Sequence, residues 1–210
     1  MQSDSAKCLA DIFMNNPFTK REDLLKCAAE YPDFYRDKDL QSERQLMALH
    51  EKVHKRRAPH ITRSEPLDIA KWKWPGGAVA IHCVENTDDE VETISAVSFN
   101  QENEWLRIAG LTTLKGVGWP MASVILHFAH PQEKYPILDV RALTALGLSD
   151  QKYTGRFWVE YTNYCRNICE EFHVTIRELD QALWAKGANM AGRRKLTKVP
   201  RHPVEEHQTE

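Results

Sequence analysis

The chain has 210 residues, 42% of them hydrophobic and 28% charged, which is typical of a globular protein with one or two domains. It has no apolar run near the roughly 20 residues of a membrane span and no secretory signal, so we expect a cytoplasmic protein without a membrane partner. The formal net charge of −2 excludes attraction of nucleic acid by a bulk basic field, although basic clusters at 52–63 and 192–201 can still contact phosphates.

Helices are predicted along most of the chain. Composition, capping residues and apolar spacing indicate six of them: 19–34, 38–57, 63–74, 86–99, 155–172 and 175–187. Ser64 is the expected N-cap of the third helix, with Pro66 in its first turn, where the missing N–H costs little. The stretch 76–84 is apolar, but no second strand is available to pair with it, so we predict a buried connection.

Two of these helices have the spacing of a capping box, in which a threonine and a glutamate three residues later satisfy each other's backbone N–H groups. The pairs are Thr87 with Glu90 and Thr175 with Glu178. Glycine commonly follows the end of a helix, so the last helix is expected to end at Gly187. The polar residues beyond it predict a disordered tail.

Residues 101–129 have the pattern of a helix, a tight glycine turn and a second helix. The first helix is expected to bury Trp105, Ile108, Ala109 and Leu111. Gly116 and Gly118 allow the restricted backbone angles of a turn, and Pro120 suits the first turn of the next helix. That helix is apolar at nearly every position from 121 to 129, so it should be buried almost all round.

A glycine turn before a helix is suited to phosphate binding. Without side chains, the backbone N–H groups at the helix start can approach an anion, and the helix dipole favours negative charge there. The candidate phosphate-binding residues are Lys115, Gly116, Val117 and Gly118. The alternative is a plain corner between two helices, in which the glycine only ends the first one.

The segment Leu-Lys-Gly-Val-Gly at 114–118 is followed by Tyr-Pro-Ile-Leu-Asp, which ends at Asp139. In this order and spacing, the two motifs resemble those of the helix-hairpin-helix DNA glycosylases, which act on mismatched, oxidised or alkylated bases. The resemblance is strongest over 105–146 and extends more weakly over 61–187. It implies an all-α fold of two helical lobes with a cleft between them.

The resemblance also implies how the chain is divided. Its expected parts are N-terminal helices at 1–60 that join the second lobe, a helical barrel at 61–132 with the hairpin at 114–118, the second lobe at 133–187, and the tail at 188–210. DNA is the implied partner and a monomer is expected, associated with the nucleoid when it is bound to DNA. No metal and no cofactor are implied, apart from a monovalent cation that the hairpin could hold.

Asp139 is the catalytic residue that the resemblance implies. Release of a base builds positive charge on the deoxyribose, and a fixed carboxylate stabilises that charge and can orient the attacking water. Asp139 also precedes a helix-like segment, so we expect it to be an N-cap whose pKa is depressed by local N–H groups. The alternative is that capping is its only role. Arg141 is a possible DNA contact.

Two positions depart from the family pattern. Lys115 stands where the hairpin usually has proline, and Pro120 stands where bifunctional members carry a catalytic lysine. Because proline has no amine, we expect a monofunctional N-glycosylase of base-excision repair that uses water as nucleophile and has no lyase activity. Lys115 and Lys134 lie nearby in the sequence, and the amine of either is an alternative to the missing catalytic lysine.

Other patterns favour structural roles. Cys165 and Cys169 are interpreted as buried thiols, and His127 and His130 as ordinary histidines. The tryptophans within 71–74 are interpreted as core residues with exposed lysines between them, although base stacking is an alternative. Two further functions stay open: a non-catalytic DNA-binding module of the same fold, and a helical protein-interaction scaffold.

Overall fold

The computed structural model describes residues 13, 16–130, 132, 134–193 and 195. Within these residues all the regular structure is helical, which confirms the all-α prediction. In the described segments, a short 3₁₀ helix, Tyr31–Phe34, accompanies eleven α-helices: α1 Arg21–Glu30, α2 Asp37–Met47, α3 Leu49–His54, α4 Ser64–Lys73, α5 Ala78–Cys83, α6 Asp88–Phe99, α7 Glu104–Leu111, α8 Trp119–Ala129, α9 Val140–Ala145, α10 Gly155–Phe172 and α11 Ile176–Met190. None of the helices in this part of the chain combines the length and the apolar character needed to cross a bilayer.

Both predicted capping boxes are confirmed. Thr87 accepts the N–H of Glu90, and the carboxylate of Glu90 accepts the N–H of Thr87 at the start of α6. Thr175 and Glu178 form the same reciprocal pair at the start of α11. Local side-chain chemistry therefore decides where these two helices begin.

The predicted N-cap at Ser64 is wrong. Ser64 is the first residue of α4, and Arg63 occupies the N-cap position without a side-chain cap hydrogen bond. The carboxylate of Glu65 accepts the N–H of Thr62 at 2.7 Å and pairs with Arg56 at 2.6 Å. These contacts fix the chain just before the helix, so Ser64 lies inside the first turn instead of at the N-cap position.

The predicted buried connection at 76–84 is instead a short exposed helix, α5. Gly77 has a left-handed φ of 76°, which lets the chain turn from α4 into α5. Cys83 is the buried side chain of this helix, whereas Ile81 is 65% exposed. The prediction failed because the small and branched residues of 76–84 give this segment the composition of a protein core. A short helix on the surface, however, buries only one of its sides.

Helix α8 is buried along its length, as its sequence predicted, with every side chain from 121 to 129 inside the fold. Helix α7 packs beside it. The predicted burial of Trp105 in α7 is wrong, because that side chain is 47% exposed. Arg107 is buried instead, next to Ile108, and its guanidinium group donates to the hydroxyl of Tyr135.

The two ends of the described chain pack together, since α11 contacts both α1 and α9. Gly187 lies inside α11, where a Cβ would come within 1.8 Å of the carbonyl oxygen of Arg141 in α9. The predicted helix end at Gly187 is therefore wrong: this glycine permits close helix packing, and α11 continues to Met190. Most of the predicted tail, 188–210, lies outside the described residues.

Candidate functional site

The glycine turn between α7 and α8 contains one left-handed and one extended residue. Gly116 has φ 78°, and a Cβ at this position would lie 2.9 Å from the backbone nitrogen of Cys83. Gly118 has φ −82° and is the N-cap of α8, with no crowding around its Cα. Glycine is therefore required at 116 by backbone angle and by contact, whereas at 118 it leaves the helix start open.

Asn86 ties this turn to the end of α5. Its buried amide accepts the N–H of Lys115 at 2.8 Å and donates to the carbonyl oxygen of Lys115 at 2.9 Å. It also donates to the carbonyl oxygen of Cys83 at 3.0 Å. No local pattern around Asn86 indicates this role, because its partner lies in a different part of the sequence.

Among the described residues, four backbone N–H groups from the turn to the first turn of α8 have no protein acceptor: those of Gly116, Gly118, Trp119 and Met121. They lie at the N-terminal end of α8, where the helix dipole also favours an anion. The ammonium group of Lys115 is 3.5 Å from the carboxylate of Glu85. That exposed ion pair offsets part of the positive charge of the turn.

Asp139 is the N-cap of α9, as its sequence predicted. One carboxylate oxygen accepts the N–H of Arg141 at 2.9 Å, and the other accepts from the ammonium group of Lys73 at 3.0 Å. The side chain is 17% exposed. Burial by itself raises the pKa of this carboxyl group, but Lys73 and the Arg141 N–H outweigh it, so the pKa lies below its ordinary value.

Lys73 is the functional candidate that sequence reasoning missed. The lysines between the tryptophans of 71–74 were predicted to be exposed, but the side chain of Lys73 is only 8% exposed. Lys73 is the last residue of α4, and the next residue, Trp74, leaves the helix with φ −130° and ψ 81°. Its ammonium group lies 5.3 Å from the centre of the Trp74 ring and points to a carboxylate that is distant in sequence.

The chain just before Asp139 is held by side chains from three helices. The carboxylate of Asp180 in α11 accepts the N–H of Ile137 at 3.1 Å, and the hydroxyl of Ser123 in α8 accepts the N–H of Leu138 at 2.9 Å. The hydroxyl of Tyr161 in α10 donates to the carbonyl oxygen of Ile137 at 3.5 Å. The position of the Asp139 carboxylate is therefore set by the core of the fold.

Ser123 also relates the hairpin to Asp139. It lies in the second turn of α8, about 6 Å along the helix axis from Trp119 at a rise of about 1.5 Å per residue. The hydroxyl group of Ser123 contacts the backbone of Leu138 directly, so Asp139 lies near the N-terminal end of α8, which follows the glycine turn. The two motifs of the sequence are thus brought to the same end of one helix.

The side chain of Arg141 packs against α11. Its guanidinium group lies 5.0 Å from the centre of the Trp184 ring, and its positive charge also lowers the pKa of Asp139. The same ring is covered by Arg193, 4.9 Å from its centre. The contact of Arg141 with DNA stays a prediction.

A cleft of about 930 Å³ lies between the 34–52 segment and α4. Its walls include aromatic and basic side chains: Tyr35, Arg36, Lys38, Lys52, Lys71 and Trp72. Neither Asp139 nor the glycine turn lines it, but Trp72 and Pro75, on either side of Lys73, do. Burial raises the pKa of Tyr35 to about 12, and the nearby negative charge of Asp139 contributes to that increase.

The remaining candidate residues have structural partners. His127 and His130 are buried, and each ring contacts a backbone carbonyl oxygen. Cys165 is buried and Cys169 is partly buried, and both are free thiols. Within the described part of the chain, no group of three or more His, Cys, Asp or Glu residues is arranged to hold a metal ion.

We compared the chain with protein-family models, with curated proteins and with solved structures, and none of the three comparisons gave a match. The geometry of the site and the resemblance of its motifs therefore carry the functional proposal.

Proposed function

We propose that this protein is a DNA-repair N-glycosylase that hydrolyses the glycosidic bond of a damaged or mismatched base. The observation that carries the proposal is Asp139, an ionised and rigidly held carboxylate that lies near the start of the helix preceded by the glycine turn. Two helical lobes with a DNA-binding cleft between them, divided near residues 61 and 133, are part of this proposal.

In the proposed complex, the glycine turn binds the DNA backbone. A phosphate would accept hydrogen bonds from the N–H groups of Gly116, Gly118 and Trp119, which have no acceptor among the described residues. Such contacts position DNA without reading its sequence, since phosphates are the same at every base. Lys115 would add to the attraction once phosphate competes with Glu85 for its ammonium group.

Asp139 would act on the deoxyribose of a nucleotide that has been flipped out of the duplex. Flipping costs a few kcal/mol and is easiest for a damaged or mismatched base, which provides part of the selectivity. As the base leaves, positive charge builds at C1′, and a carboxylate held in place beforehand stabilises it. Pro120 offers no amine, so water is the proposed nucleophile, and the reaction needs no metal or organic cofactor.

Base release from a panel of duplexes tests this proposal. The panel would contain uracil, mismatched, oxidised and alkylated bases, and free base would be measured by chromatography for the wild-type protein and for Asp139→Asn. We expect release from at least one duplex by the wild type only. Glu171→Asn, an exposed change on α10, is the matched control. Absence of any Asp139-dependent release would contradict the proposal.

A second function is favoured by one observation, the ion pair between Lys73 and Asp139. Because the ammonium group offsets the carboxylate charge at 3.0 Å, a protein that only binds DNA could keep this pair for stability. In that case the wild type would bind DNA in a salt-sensitive manner, Asp139→Asn would bind equally well or better, and neither would release a base.

A further inference from the structure

Lys73 and Asp139 form a mostly buried pair of opposite charges whose arrangement conflicts with a purely electrostatic role for Asp139. The ammonium group is 3.0 Å from the carboxylate oxygen, and the two side chains are 8% and 17% exposed. An ammonium group in this position would repel the positive charge that develops on the sugar. Asp139 can stabilise that charge fully only if Lys73 loses its own charge during the reaction.

On the basis of the proposed glycosylase function, we infer that Lys73 is a second catalytic residue. It acts as the general acid that protonates the departing base. As the C1′–N bond breaks, its electron pair goes to the base, and a nitrogen or oxygen atom of the base takes a proton from the Lys73 ammonium group. Lys73 becomes a neutral amine at the moment when C1′ becomes positive. The negative charge of Asp139 is then no longer offset.

The second half of the reaction restores both groups. A water molecule attacks C1′ and gives up a proton to the neutral amine of Lys73, which becomes an ammonium group again. The sugar gains a hydroxyl group and the base gains a hydrogen atom, so one water molecule is consumed and no other reactant is needed. General acid catalysis of this kind contributes about 10²- to 10⁴-fold to a rate.

The surroundings of Lys73 suit this role. Trp72 and Pro75 line the cleft of about 930 Å³, so the lysine is carried by a segment that forms part of its wall. A cavity of this size lies within the range of about 300–1,000 Å³ found for small-molecule sites, and Trp72 and Tyr35 offer it aromatic surface. Lys73 and Asp139 do not themselves line this cleft, so it adjoins the segment that carries the proton donor and does not enclose it.

The test compares Lys73→Arg with wild type on two kinds of duplex. One kind carries a neutral target base such as uracil or hypoxanthine. The other carries 7-methylguanine, a base that is already positively charged and leaves without protonation. Arginine keeps a positive partner for Asp139 but does not give up its proton, so folding and DNA binding should persist. Lys20→Arg, at an exposed position before α1 and away from the cleft, is the matched control.

We expect Lys73→Arg to release the neutral base at least about 100-fold more slowly than wild type, with DNA affinity unchanged. On 7-methylguanine the two proteins should differ by less than about 3-fold, because no acid is required. If Lys73 had only a structural role, Lys73→Arg would slow base release from both kinds of duplex equally. Lys73→Met should repeat the pattern if it folds, as judged by circular dichroism.

Several results would overturn the inference while leaving base release in place. They are a Lys73→Arg rate equal to wild type on the neutral base, an equal loss on both duplexes, activity of the wild type on 7-methylguanine alone, or a borohydride-trapped covalent complex that requires Lys73. The last result would mean that the amine attacks the sugar itself. A wild type that releases no base from any duplex would overturn the proposed function together with this role of Lys73.

Discussion

Asp139 and Asp180 are two carboxylates that bind the backbone of the same short segment, yet their proton affinities are shifted in opposite directions. Asp139 accepts the N–H of Arg141, and Asp180 accepts the N–H of Ile137. The pKa of Asp139 is lowered, whereas that of Asp180 is raised to about 6. Similar backbone partners therefore do not decide the charge state of a carboxyl group.

The difference comes from solvent access and from how the cations are shared. Asp180 is almost fully buried, and burial outweighs Arg177, which divides its guanidinium group between Asp180 and Glu43. Asp139 keeps some exposure, sits at a helix N-terminus and has Lys73 close to one oxygen. A carboxylate that stays charged and reachable suits chemistry, whereas one that is buried and costly to ionise suits a structural role.

The largest expected effect separates the two residues by activity. Asp139→Asn keeps the shape of the side chain and can still cap α9, but it removes the negative charge. We expect base release to fall about 1,000-fold. Asp180→Asn, which keeps a hydrogen bond to Ile137, should change the rate less than about 10-fold. Single-turnover rates on a duplex that the wild type cleaves provide the measurement, and equal losses in the two variants would remove the functional distinction.

The next effect separates them by stability. Asp180→Ala leaves the N–H of Ile137 without its acceptor and Arg177 without one of its carboxylates. We expect the free energy of unfolding at neutral pH to fall by about 4 kcal/mol, measured by urea denaturation. The control is Asp150→Ala, at an exposed position, which should change it by less than about 0.5 kcal/mol. A loss below about 1 kcal/mol would contradict the structural role.

The pKa of Asp180 gives a pH-dependent prediction of intermediate size. Its folded-state pKa of about 6 lies above the ordinary value of 3.8, so the folded state holds the proton more tightly than the unfolded state. Folding stability must therefore fall as the pH rises from about 4 to about 6, and the penalty is complete above that range. Relative to Asp180→Asn, which cannot titrate, the wild type should lose roughly 3 kcal/mol of unfolding free energy between about pH 4 and about pH 7. Denaturation at several pH values checks this, and a flat difference would show that Asp180 is ionised throughout.

The smallest expected effect concerns the hydrogen bond from the backbone of Leu138 to Ser123, which positions the segment before Asp139. Ser123→Ala removes the acceptor of the Leu138 N–H, which should cost about 1–2 kcal/mol of unfolding free energy. Ser98→Ala is the control, because its hydroxyl group is equally buried but has no hydrogen-bond partner in the described structure. We expect that change to be neutral or slightly stabilising. Thermal unfolding compares the pair, and equal costs would mean that the hydroxyl of Ser123 does not hold the segment.

The sequence was a good guide to several features that local chemistry decides. The threonine–glutamate capping boxes, the buried helix α8 and the N-cap at Asp139 depend on residues within one or two turns of each other, and all were predicted. Two predictions failed because a distant partner intervened. Gly187 lies inside its helix because the backbone of Arg141 approaches it, and Trp105 is exposed because Arg107 takes the inward position.

By itself, the sequence determined the helical class, the glycine turn and the carboxylate that caps the next helix, because each follows from short-range steric and hydrogen-bonding preferences. Tertiary structure alone decided that Lys73 would be buried against Asp139, that Asn86 would hold the turn, and that Asp180 would be harder to ionise than Asp139. Those outcomes depend on desolvation and on charges brought together from separate helices. No spacing along the chain encodes such contacts, since they exist only once the helices have packed.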